Sequence, residues 1–215
     1  MTTIHSRPCR LMALLILAGL LCPTCAAQPS PDDPRSSEWA DPITQVPGLG
    51  NLYRVSDGLY RGAQPSEAEG YASLAAMGVK TVVNLRGGHD ERELCSRYGL
   101  DYVYIPMKAW SFDEADVIRF LQVVSRSENQ PVFVHCRRGA DRAGMAVAVY
   151  RVVIEGWSKE DALFEMTKGP YDYNPMWKKL ARFVEQMDVG KLREAAGVTK
   201  DEPVESQTPR PEVTQ

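Results

Sequence analysis

The stretch Pro131-Val-Phe-Val-His-Cys-Arg-Arg-Gly-Ala-Asp-Arg-Ala-Gly144 decides the fold that this sequence can adopt. Its apolar run Val132 to Val134 predicts a short buried strand, and the Ala-rich segment from Ala143 to Ile154 predicts a buried helix. The loop from Arg137 to Arg142 joins the end of that strand to the start of that helix. Backbone N–H groups are unpaired at a helix N-terminus and the helix dipole is positive there, so this junction favours an anion. Cys136 stands at the mouth of the predicted anion site.

The rest of the chain alternates between strand and helix patterns. The turn Ser56-Asp57-Gly58 predicts a hairpin, and the mostly β-branched run from Val79 to Leu85 predicts a strand covered on both faces. Such alternation predicts an α/β fold: a single domain with a central, mainly parallel sheet of about four to five strands, flanked by helices. The anion loop would follow the last strand. Further predicted elements are a strand over 100–105 and helices over 66–78, 91–98, 113–125, 158–168 and from 174 onward.

The two ends of the chain differ in composition from the middle. Arg7 and Arg10 precede an apolar run, and small residues follow it up to Ala27, which is the order of a secretory signal peptide. We therefore expect a periplasmic or secreted protein; a lipid anchor at Cys22 or Cys25 is the alternative. The predicted divisions are a signal peptide over 1–27, a flexible linker over 28–50, the folded domain over 51–188 and a disordered tail over 189–215.

The charge and the cysteine content exclude some classes of function and partner. The formal net charge is −3 and no basic stripe with interleaved aromatic residues appears, so no nucleic-acid partner is expected. Outside the signal segment no run is apolar enough to predict stable membrane insertion.

Cleavage after Ala27 would leave two of the five cysteines, Cys95 and Cys136. In an oxidising compartment such a pair ordinarily predicts a disulfide. The residues around Cys136 instead favour a free thiol, and a reversible bridge stays open.

The loop residues suit a phosphate ligand. Cys136 and Arg142 have the spacing Cys-x5-Arg, and a cysteine near cations and a helix N-terminus is favoured as the nucleophilic thiolate. Gly139 permits a tight curl of the loop, and Arg142 can grip two phosphoryl oxygens with its planar fork. His135 lies on the opposite face of its strand from Cys136, so we expect it to be a buried orienting group or a core histidine outside the chemistry. The backbone donors expected around the phosphate belong to Arg137, Arg138, Gly139, Ala140 and Asp141.

The sequence resembles the cysteine-dependent protein tyrosine and dual specificity phosphatase superfamily, whose signature is His-Cys-x-x-Gly-x-x-Arg-(Ser or Thr)-Gly. Two further runs, Leu59-Tyr-Arg-Gly-Ala-Gln-Pro65 and Val79-Lys-Thr-Val-Val-Asn-Leu-Arg86, are similar to small exported bacterial members. The resemblance implies a two-step hydrolysis: Cys136 attacks phosphorus, Arg142 holds the phosphoryl oxygens, and water then hydrolyses the cysteinyl-phosphate. It implies no cofactor and no metal.

Two positions depart from the family pattern. Ala143 stands where the family has a hydroxyl residue that helps the sulfur leave, so the resemblance implies slow turnover. The family's general acid is an aspartate on the loop before the preceding helix, and by alignment with a relative Trp110 takes its place.

Asp113 is the leading candidate for the acid, ahead of Glu114 and Asp116. A helix cap is its alternative role, although a capping box from Ser111 to Glu114 would leave Asp113 free.

Several functions stay open. The leading hypothesis is an exported, monomeric phosphatase acting on phosphotyrosine, with phosphoserine and phosphothreonine as further substrates. Trp110 and Phe112 could stack on a phosphotyrosine ring. Arg137 and Arg138 leave a phosphoinositide or polyphosphate substrate as an alternative, although a solvated pair that attracts any anion is preferred.

A phosphate-binding pseudophosphatase is the rival from another class. Ala143 and the displaced acid favour it, whereas the pair Cys136 and Arg142 opposes it. Sulfur transfer on a rhodanese-like fold ranks last. The expected partner is a phosphorylated protein or a small phosphorylated molecule.

Overall fold

A computed structural model describes residues 37–198 of the chain. Its centre is one six-stranded sheet with the strand order β1-β2-β3-β6-β4-β5. The strands are β1 Asp41–Pro42, β2 Tyr53–Ser56, β3 Leu59–Ala63, β4 Thr81–Arg86, β5 Asp101–Met107 and β6 Val132–Cys136. The single α/β domain is confirmed, with six strands instead of the expected four to five.

The four strands β3, β6, β4 and β5 are parallel to one another, so their carboxyl ends meet at one edge of the sheet. Ala63 is aligned with Cys136, and Arg86 with Met107. The predicted hairpin is confirmed: β2 and β3 are antiparallel and joined by a turn at Asp57 and Gly58. The edge where the parallel strands end is the place that such a sheet offers to ligands.

Helices cover both faces of the sheet. They are α1 Glu67–Ala76, α2 Arg92–Arg97, α3 Glu114–Val124, α4 Asp141–Val153, α5 Lys159–Lys168, α6 Lys178–Gln186 and α7 Val189–Ala196. One hydrophobic cluster contains residues of α1 and α2, and the larger cluster contains residues of the other five helices. Every residue of β6 is buried, which is what a central parallel strand requires.

Alternation along β6 sends its side chains into different clusters. Val134 and Cys136 belong to the larger cluster, whereas Phe133 belongs to the smaller one and stacks with His135 at 5.6 Å between ring centroids. His135 is therefore on the face opposite Cys136, as the strand period predicts.

The folded domain extends beyond the predicted boundaries at both ends. β1 lies in the range predicted as a linker and pairs with β2, while the Ala40 N–H donates to the buried Glu165 carboxylate. Helix α7 lies in the range predicted as a tail, and its Leu192 is buried in the core. Both predictions were wrong for these residues: β1 is a two-residue strand anchored by tertiary contacts, and α7 is a short capped helix whose Leu192 and Ala196 are buried. The signal segment and residues 199–215 lie outside the described residues.

Two local predictions are also corrected. The capping box of α3 is formed by Asp113 and Asp116, not by Ser111 and Glu114, because Ser111 pairs with Lys108 in a backbone bridge. The helix predicted from 174 begins only at Lys178, since Asn174 forms a turn in which its side chain accepts from the Met176 N–H. Across residues 37–198 the structure contains no helix that is long and apolar enough to cross a membrane.

Candidate active site

The loop of residues 137–140 connects β6 to α4 at the carboxyl edge of the sheet. Cys136 is the last residue of β6 and is only 2% exposed. Helix α4 begins at Asp141, so its free N–H groups and the positive end of its dipole lie at this loop.

All four carbonyl groups of the loop accept hydrogen bonds from residues on or next to β3. The Gln64 N–H donates to the Arg137 carbonyl at 3.4 Å, and Asn51 Nδ2 donates to the Arg138 carbonyl at 2.9 Å. Arg61 Nη2 donates to the next two carbonyls, those of Gly139 at 2.7 Å and Ala140 at 3.2 Å. In a trans peptide the N–H points away from the C=O, so the N–H groups of residues 138–141 point away from these donors. They are free to surround an anion.

Gly139 allows the loop to approach β3 this closely. Its φ is +73°, a conformation that favours glycine, and a Cβ placed on it would lie 2.4 Å from the carbonyl carbon of Gly62. Glycine is therefore required at this position for two independent reasons, the positive φ and the lack of space for a Cβ.

Arg142 is held by the ends of two neighbouring strands. Its Nη1 donates to the Leu85 carbonyl at 3.3 Å and to the Met107 carbonyl at 3.1 Å, and the side chain is half-buried. These bonds leave the other guanidinium nitrogens for a ligand.

A cavity of about 520 Å³ opens at this edge. Positive groups dominate its lining, which comprises Arg86, Gly87, Gly88, Met107, Lys108, Ala109, Trp110, Arg137, Arg138, Asp141, Arg142, Asn174 and Trp177. The pKa of Arg86 is lowered by burial and then by repulsion from Arg137 and Arg142, so both of these cations lie close enough to repel Arg86. An anion placed among them would relieve that repulsion.

The Asp141 carboxylate connects the loop to neighbouring residues through hydrogen bonds. Its Oδ1 accepts from the Asn174 N–H at 2.9 Å, and its Oδ2 accepts from Arg138 at 3.2 Å. Arg138 also contacts Asp172 at 3.2 Å. Asp141 thus bonds to a distant segment and to Arg138.

His135 is fully buried behind the loop. Its Nε2 lies 3.0 Å from Glu91 Oε2, and its Nδ1 lies 3.3 Å from the Cys136 carbonyl. The two atoms are close, but the contact does not have hydrogen-bond geometry. Within the described residues, His135 Nε2 and both carboxyl oxygens of Glu91 form no hydrogen bond. The pair is thus a buried contact between an imidazole and a carboxyl group, one residue from Cys136.

The three acid candidates lie at the start of α3. Asp113 is exposed and caps the helix, Asp116 accepts from the Asp113 N–H at 3.1 Å, and Glu114 contacts Lys191 at 2.5 Å. None of the three is among the residues that line the cavity, whereas Trp110 from the same loop is. The cavity lining thus includes four of the predicted residues, Arg137, Arg138, Asp141 and Arg142. Cys136, Gly139 and Ala140 adjoin them in the chain but are not lining residues, and Asp113 lies outside the lining as well.

Cys95 and Cys136 are free cysteines that belong to the hydrophobic clusters on opposite faces of the sheet. Burial, then the carboxylates of Glu91 and Asp90, raise the pKa of Cys95 to about 12, which keeps that thiol protonated. This placement gives no support to a bridge between the two.

Several residues at the site were not identified from the sequence, namely Asn51, Arg61, Glu91, Lys108, Asn174 and Trp177. Arg61 belongs to the Leu59-Tyr-Arg-Gly run, so a signal was present there. The others come from segments that reach the site only through the fold.

The fold and the cysteine-arginine loop define the class of cysteine-dependent phosphatases. A family profile described as "DSP-PTPase phosphatase fused to NAD+ Kinase" matches residues 53–179. The chain is 35% identical over 187 residues to the dual specificity protein phosphatase TpbA of Pseudomonas aeruginosa, covering 86% of this chain and 83% of that protein. A crystal structure of P. aeruginosa TpbA with phosphotyrosine superposes with a TM-score of 0.66 at 32% identity, over 77% of this chain and 99% of that one. A more distant relative, the inositol diphosphatase DSP5 of Arabidopsis thaliana, is 25% identical over 67% of this chain and 72% of that protein.

The chain belongs to the dual specificity phosphatase family and is a hydrolase of phosphorylated substrates.

Gly139→Ala should disable anion binding. The added Cβ clashes with the backbone of β3 and the positive φ is strained, so the loop must move and the affinity for inorganic phosphate should fall at least about tenfold. Titration calorimetry with inorganic phosphate measures this. Gly156→Ala is a matched control, because Gly156 has φ +79° but open space around its Cβ. Equal phosphate affinities for the two variants would contradict the role given to Gly139.

Proposed function

We propose that the protein is an exported phosphatase that hydrolyses phosphotyrosine, and also phosphoserine and phosphothreonine, through a cysteinyl-phosphate on Cys136. The observation that carries this proposal is the loop whose four carbonyls are bonded away from a cation-lined cavity, with Cys136 at its start. Export rests on the signal-peptide pattern of residues 1–27.

In the first step the Cys136 thiolate attacks phosphorus, an S–P bond forms and the P–O bond to the leaving group breaks. The loop N–H groups and Arg142 stabilise the charge on the three non-bridging oxygens, and a general acid protonates the leaving oxygen. In the second step water attacks phosphorus, the S–P bond breaks and the thiolate returns as phosphate leaves. Bonds to the Leu85 and Met107 carbonyls pre-orient Arg142 for both steps.

Aromatic side chains at the cavity support an aryl phosphate substrate. Trp110 is 62% exposed and stacks on Trp177 with 5.7 Å between ring centroids. A flat apolar surface beside a phosphate site suits the ring of phosphotyrosine. The similarity to TpbA, whose structure was determined with phosphotyrosine, supports the same choice.

A phosphoanhydride, such as a diphosphate group on a small polyol, is the second candidate substrate. Asp141 is the one carboxylate in the cavity lining formed by residues 37–198, and both of its oxygens accept other hydrogen bonds. A leaving phosphate needs little protonation, because its second pKa is about 6. The several cations of the cavity, and the relative named an inositol diphosphatase, support this alternative.

A substrate panel tests the proposal. The chain from residue 28 should release phosphate from phosphotyrosine peptides faster than from phosphoserine peptides, phosphoinositides or small diphosphates. Cys136→Ser should abolish release while inorganic phosphate still binds, because the hydroxyl is a far weaker nucleophile than a thiolate. Phosphate binding without release from any substrate by the wild type would instead identify a pseudophosphatase.

Ala143→Ser should accelerate the second step. Ala143 is fully buried in the first turn of α4, and a hydroxyl there can stabilise the departing sulfur. We expect breakdown of the intermediate to become about tenfold faster, as one added hydrogen bond to a charged group would allow. Single-turnover quench-flow measures the rate. Ala143→Thr should act likewise where the core accepts its methyl group, and Ala146→Ser, one turn further along α4, is the control. An unchanged breakdown rate in Ala143→Ser would contradict this role.

The variant Asp113→Asn tests whether Asp113 protonates the leaving oxygen, and for which substrates that proton is needed. If Asp113 reaches the cavity during turnover, the variant should lose about 100-fold or more on a phosphotyrosine peptide, together with the basic limb of the pH profile. Its rate on a small diphosphate should stay within about twofold, since a phosphate leaving group needs no proton. Asp116→Asn, the other half of the capping box, is the matched control. Equal, small effects of both variants would show that Asp113 serves only as the helix cap.

A further inference from the structure

Arg61 is a fully buried arginine beside the phosphate loop. It lies on β3, where its backbone is aligned with Val134 of β6, two residues before Cys136. Its Nη2 donates to the carbonyls of Gly139 and Ala140 at 2.7 and 3.2 Å. One guanidinium nitrogen thus holds two successive peptide groups of the loop.

The charge of Arg61 has no carboxylate partner within the described residues. The guanidinium lies over the ring of Tyr171 at 3.9 Å, and the Tyr171 hydroxyl donates to Glu165 at 2.8 Å. Glu165 is itself paired with Arg151 at 3.0 Å. A buried cation without a direct counter-ion is costly, so a compensating negative charge close by is favoured.

The electrostatic environment of Arg61 includes the active-site sulfur. Burial lowers the pKa of Arg61, while Tyr171, Glu165 and Cys136 act in the opposite direction. Nε and Nη1 form no hydrogen bond in the part of the chain that the structure describes. An anion that forms on Cys136 would therefore add to the negative charge of Glu165 near Arg61.

We propose that Arg61 is a positioning residue for the reaction: it fixes the carbonyls of Gly139 and Ala140 towards β3 and polarises these two peptide groups, so that their N–H groups bind the phosphoryl anion more strongly. This inference rests on the proposed role of the loop as the phosphoryl site. Arg61 itself contacts no substrate.

The geometry explains why the position requires a guanidinium. The Nη2 group carries two N–H bonds in a fixed plane, so it serves two adjacent carbonyls while the flat cation stacks on Tyr171. Lysine would retain the charge but would hold the two carbonyls less rigidly. Methionine would fill much of the space but remove both the charge and the bonds.

The test uses the full chain with Arg61→Met and Arg61→Lys. The first measurement is the rate at which iodoacetamide alkylates Cys136 as a function of pH, followed on the Cys136 peptide by mass spectrometry so that the other cysteines do not interfere. The second is protection of Cys136 by inorganic phosphate, which gives a dissociation constant. Arg151→Lys is the matched control, because Arg151 is also a buried arginine but contacts no loop carbonyl.

Arg61→Met should slow the alkylation of Cys136 at pH 6 about tenfold. The plot of alkylation rate against pH should move to higher pH, because less of the Cys136 thiol is ionised. Its dissociation constant for phosphate should rise about tenfold. Arg61→Lys should retain the wild-type profile, since the charge is kept, and weaken phosphate binding about threefold. Arg151→Lys should leave both measurements unchanged.

A folded Arg61→Met protein with the wild-type profile and phosphate affinity would overturn the proposal. If Arg61→Met fails to fold, Arg61→Lys decides, and a phosphate affinity equal to that of Arg151→Lys would overturn it. Neither measurement needs turnover. Inactivity of the wild type on every substrate would therefore refute the proposed function without deciding the role of Arg61.

Discussion

The site depends on the direction of four peptide groups. Because donors on or beside β3 take the carbonyls of residues 137–140, the N–H groups of this loop cannot turn outwards. The parallel sheet makes this possible by placing β6 between β3 and β4. The donors on one side of the loop then come from β3, from Gln64 directly after it and from Asn51 just before β2. On the other side, the ends of β4 and β5 supply the carbonyls that hold Arg142. Neither flank is close to the loop in sequence.

The cavity is cationic although the chain carries a formal net charge of −3. Arg137 and Arg142 both repel Arg86. Arg142 is held in place by strand carbonyls and Arg86 by the Gln64 side chain. An anion bound in the cavity would offset this repulsion. Such an arrangement favours multiply charged phosphate groups over singly charged ligands.

The structure positions no carboxylate of the predicted loop in the cavity lining to act as the general acid. In this family the leaving oxygen is expected to receive a proton from the loop before α3, yet here the exposed Trp110 of that loop lines the cavity and Asp113 caps the helix. An aromatic surface in that place suits the ring of the proposed aryl phosphate but supplies no proton donor. A carboxylate at the same position could protonate the leaving oxygen.

Residues 131–144 by themselves predicted the strand, the loop and the helix that the structure contains, because each depends on local pattern. The spacing within the same stretch identified Cys136 and Arg142 as the candidates for the chemistry. The parallel sheet also followed from the sequence, since the alternation of strands and helices admits few other arrangements. What only the tertiary structure decided is which distant groups complete the loop. Asn51, Arg61 and Glu91 reach it across the sheet, and Asn174 and Trp177 reach it from the segment after α5. The strand β1 was missed for the same reason, because the contacts that stabilise it join residues far apart in the chain. The helix α7 does carry local signals, a cap at Asp188 and an apolar face of Leu192 and Ala196, but it is short and stands next to the polar, Pro-rich end of the sequence.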